Sequence, residues 1–168
     1  SFLFLTLFNF SGVRLFNSLN LTMSLMSGGG FLPSDSLTEI ISTNFQKMVI
    51  IFCLLLSLLN FYLVFNILNK KILIKEHKED LYLTLLAIVL IILIYFNDID
   101  ILSLIISVLS SLANSGITIL KADYNLSLYF LLITIVGGSL VSNTSGIKLS
   151  RFYILIKITS SEIIKLIS

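Results

Sequence analysis

Apolar runs of unequal length, separated by short polar clusters, set out the plan of this chain. Met48 to Leu68 is 21 residues without a charge, and at about 1.5 Å per residue it makes roughly 30 Å of helix, one hydrocarbon thickness. It predicts the clearest spanning helix. Leu81 to Phe96 holds 16 uncharged residues and reaches both interfaces with Tyr82 and Tyr95 near its ends. Leu126 to Ile158 is longer than one crossing requires and is interrupted at Gly137-Gly138-Ser139-Leu140-Val141-Ser142-Asn143-Thr144-Ser145-Gly146. That pattern predicts a broken helix, tolerated at membrane depth where protein or a wet cavity satisfies the freed backbone groups. Val13 to Met26 and Ile101 to Leu112 would be only about 20 Å long, so each would enter a membrane and stop inside it. The expected fold is an all-α membrane protein of helix, half-helix, helix units.

Each half-length stretch runs into small residues: Ser27-Gly28-Gly29-Gly30-Phe31 after the first, Asn114-Ser115-Gly116-Ile117-Thr118 after the second. Ser11 is a credible N-cap for the first helix, and Asp98 or Asp100 for the second. Each helix would then end, with its partial negative charge, at the glycine turn. A cation would be favoured there. A cation loses its hydration shell in a filter, and backbone carbonyls can replace the water oxygens if some residues take positive φ, as glycine does at no steric cost. Gly29, Gly30 and Gly116 suit that requirement, and the Ser27 and Ser115 hydroxyls could steady the turns or line the way in. The competing reading of these glycines is interfacial turns or close helix contacts.

Composition narrows the class. The chain is 57% hydrophobic and 12% charged with a mean hydropathy of +1.05, too little polar surface to cover a soluble sphere. The net charge of +2 and the scatter of the eleven Lys and Arg exclude a nucleic-acid surface. The one cysteine, Cys53, reads as a small buried hydrophobe, and His77 lacks a His or Cys neighbour for metal ligation. No constellation suits an enzyme, and no cofactor is expected beyond the transported ion. Lys70, Lys71, Lys75 and Lys78, with Arg151, Lys157 and Lys165, mark the cytoplasmic side. Asp35, Glu39, Asp98, Asp100 and Asp123 mark the opposite side, toward which both glycine turns open. Lys75 to Asp80 reads as a solvated start to the next helix.

An offset of 87 residues lays Ser24 on Ser111, Leu25 on Leu112 and Gly29 on Gly116. What repeats is the order of parts. The expected units are a partial repeat over 1–70, a linker over 71–80 and a complete repeat over 81–168.

Three stretches resemble the Trk, Ktr and HKT superfamily of potassium transporters, specifically the bacterial Trk-type membrane subunit. Phe16-Asn17-Ser18-Leu19 through Met26-Ser27-Gly28-Gly29-Gly30-Phe31 and Asp35 is similar to the family's second pore helix and filter. Ser110-Ser111-Leu112-Ala113-Asn114-Ser115-Gly116-Ile117-Thr118 is similar to the third, with Ala113 and Asn114 where the family prefers hydroxyls. Gly137-Gly138, Ser142-Asn143-Thr144-Ser145-Gly146-Ile147-Lys148 and Arg151 resemble the family's broken helix, with Val141, Thr144 and Ser145 at positions often glycine.

The resemblance implies potassium uptake across the inner (plasma) membrane by a multi-pass protein with four repeats around one pore. Filter carbonyls at Ser27, Gly28, Gly29, Gly30, Asn114, Ser115, Gly116 and Ile117 would hold K+. A gate loop would comprise Gly137, Gly138, Ser142, Asn143, Thr144, Ser145 and Gly146, with Lys148 and Arg151 as gating or counter-charge residues, or else topogenic anchors. Implied partners are the lipid bilayer, a second copy of the full-length subunit and a cytoplasmic nucleotide-binding regulatory subunit. Two filters where four must converge suggest a piece of a longer reading frame or one part of a split protein. The alternatives are a membrane subunit of a respiratory or proton-pumping complex, and a non-conducting scaffold.

Overall fold

The computed structural model describes residues 1–34, 36–68, 78–95, 100–117, 119 and 124–167. Asp35, Lys70, Lys71, Lys75, His77, Phe96, Asp98, Thr118 and Asp123 lie outside the described residues. The helices in chain order are α1 (Phe2–Phe10), α2 (Leu15–Ser27), α3 (Leu37–Ile40), α4 (Asn44–Leu58), α5 (Phe61–Leu68), α6 (Lys78–Tyr95), α7 (Ile101–Leu112), α8 (Tyr124–Ile135) and α9 (Leu149–Ile167). One isolated parallel bridge, Val136 to Ile147, joins the two ends of the α8–α9 loop.

The centre of the fold is α7, which packs against α4, α6 and α8. Its sequence explains that position. Ser103, Ser107, Ser110 and Ser111 are all buried, and small residues let neighbouring helices approach closely. Their hydroxyls are used locally: Ser107 Oγ donates to the Ser103 carbonyl at 2.9 Å and Ser111 Oγ to the Ser107 carbonyl at 2.8 Å, so no polar group is stranded. Leu104, Ile106, Val108 and Leu112 fill the space between helices. On the first side α2 packs on α1 and α4, with Leu21 and Leu25 buried.

The expected apolar runs are helical, and two of them, Met48 to Leu68 and Leu126 to Ile158, are interrupted. No helix among the described residues is long and apolar enough to cross a membrane alone. The Met48 to Leu68 run is two helices, not one. Leu59 turns extended at φ −76° and ψ 160°, Asn60 N–H donates to Asp80 Oδ1 at 2.9 Å, and Asn60 Oδ1 accepts from Tyr62 N–H at 2.9 Å, starting α5. Asp80 is 3% exposed and Glu79 Oε1 accepts the Ser150 N–H at the start of α9. These two carboxylates are structural, so the expectation that the stretch through Asp80 is simply solvated is corrected. Ser11 is likewise corrected: it closes α1, its Oγ donating to the Phe8 carbonyl at 2.7 Å, and Arg14 occupies the N-cap of α2. Asp100 is the N-cap of α7, yet its carboxylate binds Lys47 and Ser103 rather than a backbone N–H. At α4 a capping box of Thr43 and Gln46 starts the helix.

Outward faces of α6, α8 and α9 carry Leu85, Ile88, Ile92, Leu131, Leu132, Ile154 and Leu155, all exposed. So many exposed large apolar side chains suit lipid, not water.

Candidate functional site: two glycine turns over a broken-helix loop

Both half-length helices end in left-handed turns. At the end of α2, Gly28 takes φ 64° and ψ 26° and Gly30 takes φ 66°, while Gly28 and Gly29 N–H both reach back to the Ser24 carbonyl. At the end of α7, Asn114 takes φ 51° and Gly116 φ 69°, and the Ser115 N–H reaches the Ser110 carbonyl at 3.0 Å. The matching residues are therefore Ser24 with Ser110, Gly28 with Asn114, Gly29 with Ser115 and Gly30 with Gly116. That is an offset of 86 (28 to 114, 30 to 116), which corrects the expected 87. Gly29 is not in the left-handed region, so the positive-φ role expected of it belongs to Gly28. Asn114 fills the equivalent position, one of the few side-chain types that tolerates it.

The register explains an orphan. Ser110 Oγ and Ser115 Oγ lie 2.8 Å apart and buried, which makes Ser115 a brace of its turn. In the first turn Ser115's counterpart is Gly29, and the counterpart of Ser110, Ser24 Oγ, is buried without a partner. Ser27 Oγ lies at 3.4 Å from the Ser24 carbonyl.

The two turns meet backbone to backbone, equivalent residue against equivalent residue. A methyl on Gly30 would sit 3.1 Å from the Ser115 carbonyl oxygen and 3.2 Å from Gly116 Cα; one on Gly28 would sit 3.2 Å from the Asn114 carbonyl oxygen. Ser115 and Ile117 are buried, whereas Gly29 and Gly116 are exposed. Neither turn brings a charged side chain. The site offers peptide dipoles and the negative ends of two helices.

The loop between α8 and α9 touches both turns. Asn143 Nδ2 donates to the Met26 carbonyl at 2.7 Å, the Asn143 N–H to the Ser57 carbonyl and the Ser139 N–H to the Leu58 carbonyl, both at 3.2 Å. Asn114 Nδ2 donates to the Thr134 carbonyl of α8 at 2.9 Å and lies where a methyl on Gly146 would be, at 2.5 Å. Gly137 and Gly138 are required by close approach rather than by φ. A methyl on Gly137 would collide with the Ser145 carbonyl, and one on Gly138 would meet Thr144 Oγ1 at 2.5 Å and the Leu58 carbonyl at 2.8 Å.

Lys148 folds back into this loop. Its ammonium donates to the Ser142 carbonyl at 3.3 Å, Ser142 Oγ at 3.2 Å, Thr144 Oγ1 at 3.1 Å and the Thr144 carbonyl. Thr144 Oγ1 in turn accepts from the Gly138 N–H at 2.9 Å. Lys148 is thus part of the loop's own fabric. Arg151, expected beside it as a gate residue, stands exposed on the first turn of α9. At the other end of the site, Lys47 Nζ lies 3.0 Å from Asp100 Oδ2 and ties α4 to the start of α7. That hydrogen bond, with one from Ser103, holds the Asp100 carboxyl below the usual carboxylate range. Among the described residues no group of His, Cys, Asp and Glu could hold a metal ion.

The fold that carries these turns has a solved counterpart. The chain superposes on the crystal structure of the potassium transporter TrkH from Vibrio parahaemolyticus with a TM-score of 0.73 over 97% of its length, at 20% sequence identity. The two share a fold. The chain spans 38% of that transporter's length. No family model and no curated protein matches the sequence, so the likeness is one of fold.

Proposed function

We propose that this chain supplies two sides of a potassium pathway in a cell membrane, with Ser27–Gly30 and Asn114–Ile117 as filter segments and residues 137–148 as the gate beneath them. The observation that carries the proposal is the backbone contact of Gly28 with Asn114 and of Gly30 with Gly116. Equivalent residues of the two turns meet, and the contact surface is peptide groups without fixed charge. A dehydrated monovalent cation is stabilised by a ring of peptide oxygens, to which two turns can contribute, and two half-helix C-termini add to the attraction. The likeness in fold to a potassium transporter supports the same reading.

Two turns make half a ring, so the complete pathway needs two further turns from elsewhere in the native reading frame or from another chain. Growth of cells deficient in potassium uptake is the test. The whole native reading frame should restore growth on low potassium, and this chain expressed alone should insert without restoring it. Failure of the whole frame, with the protein present in the membrane, would contradict the proposal.

A further inference from the structure

Helices that stop inside a protein leave their last carbonyls without intrahelical partners. Two such ends, those of α2 and α4, are both closed by the α8–α9 loop. Asn143 does most of this: its side chain caps Met26 on α2 and its main chain caps Ser57 on α4, beside the Ser139 N–H on Leu58. On the other side, Asn114 fastens the second turn to α8 through Thr134 and bears on Gly146. The loop therefore cannot shift without uncapping the residue that precedes Ser27–Gly30. Resting on the potassium-pathway reading, we infer that Asn143 is a positioning residue that couples the loop to the first glycine turn, so that displacing the gate also loosens that filter segment.

The coupling has a physical basis. Met26 and Ser57 carbonyls exposed by a departing loop must find water, so opening the passage hydrates the floor of the site at the same moment. The turn above loses its lower anchor. Gly28 and Gly30, both left-handed, are the residues freest to move in response.

Hydrogen exchange by mass spectrometry on the whole native reading frame in lipid nanodiscs tests this without requiring a transported ion. Asn143→Leu keeps the shape and removes the side-chain donor. Exchange should rise about tenfold in the peptide 137–147 and should rise with it in 28–31, while α7 peptides over 101–112 stay protected. Asn143→Gln, which retains the amide, should recover part of the protection. Should the Leu variant fail to fold, Asn143→Ser, whose hydroxyl is too short to reach Met26, takes its place. A looser loop over an unchanged 28–31 would overturn the coupling, as would unchanged exchange in both or an equal rise throughout α7. The expected exchange pattern in a protein that carries no rubidium flux would refute the pathway reading and leave the coupling intact.

Discussion

Replacing one hydrogen by a methyl at Gly116 separates a filter from an ordinary turn. At φ 69° an alanine costs about 1–2 kcal/mol of backbone strain. Its methyl would also lie 3.2 Å from Gly30 Cα, so the opposite turn must give by a few tenths of an ångström. Gly12 is the matched control. It has φ 82° and nothing within 4 Å of an added methyl, so Gly12→Ala carries the same strain, about 1–2 kcal/mol, without touching the site. Gly116→Ala should therefore lose at least as much thermal stability in detergent as Gly12→Ala. Only Gly116→Ala, together with Gly30→Ala, should reduce the preference for rubidium over sodium, by about tenfold if roughly 1.4 kcal/mol of the distortion falls on the bound ion. The assay is tracer rubidium uptake in liposomes containing the whole native reading frame, competed by sodium. Equal loss of selectivity in Gly12→Ala and Gly116→Ala, or none in either, would refute the reasoning.

Three further outcomes follow from other contacts. Gly29→Ser places a hydroxyl opposite the orphan Ser24 Oγ, as Ser115 stands to Ser110, while its Cβ, like that of Gly29→Ala, would lie 3.0 Å from Phe31 Cδ2 and from Ser27 Oγ. Thermal unfolding should show Gly29→Ser more stable than Gly29→Ala by about 0.5–1 kcal/mol, a difference absent in a Ser24→Ala background. Asp80→Ala strips the Asn60 N–H of its buried acceptor and should cost about 1–3 kcal/mol with increased proteolysis near residues 58–62. The Asp100 carboxyl is held low by Lys47 and Ser103, so its contribution is complete above the ordinary carboxylate pKa and fades as pH falls through the lowered one. Because Asp100 is well exposed, Asp100→Asn should flatten only a small part of the acid limb of a stability–pH curve, measured at low salt.

Much of this architecture was legible in apolar run lengths. Ile101–Leu112 forms a helix over the expected residues, and the break in the last run falls where glycine pairs announced it. What run length could not reveal was the split at Leu59–Asn60. An uninterrupted hydrophobic run does not report that another segment's N–H groups will take its carbonyls, and Asn60 was the one local signal. The glycine turns were visible as composition, but their register was not. Aligning Gly29 with Gly116 matches letters, whereas the backbone pairs Gly28 with Asn114 because an asparagine can do a glycine's work at positive φ. Asn143 was counted in the loop without a role. Its partner Met26 is 117 residues away in sequence, a distance that no local pattern bridges. Asp80 was misread for a similar reason: a carboxylate in a charged run looks solvated until the fold supplies a buried N–H.

Locating a permeant ion at the two turns would bear most directly on the pathway. Crystals of the whole native reading frame grown in rubidium, with data collected at the rubidium absorption edge, should show an anomalous peak beside the two touching turns, within reach of carbonyls of both Ser27–Gly30 and Asn114–Ile117, lost when sodium replaces rubidium. Ordered turns with no peak beside their carbonyls, at rubidium concentrations that saturate uptake, would contradict it.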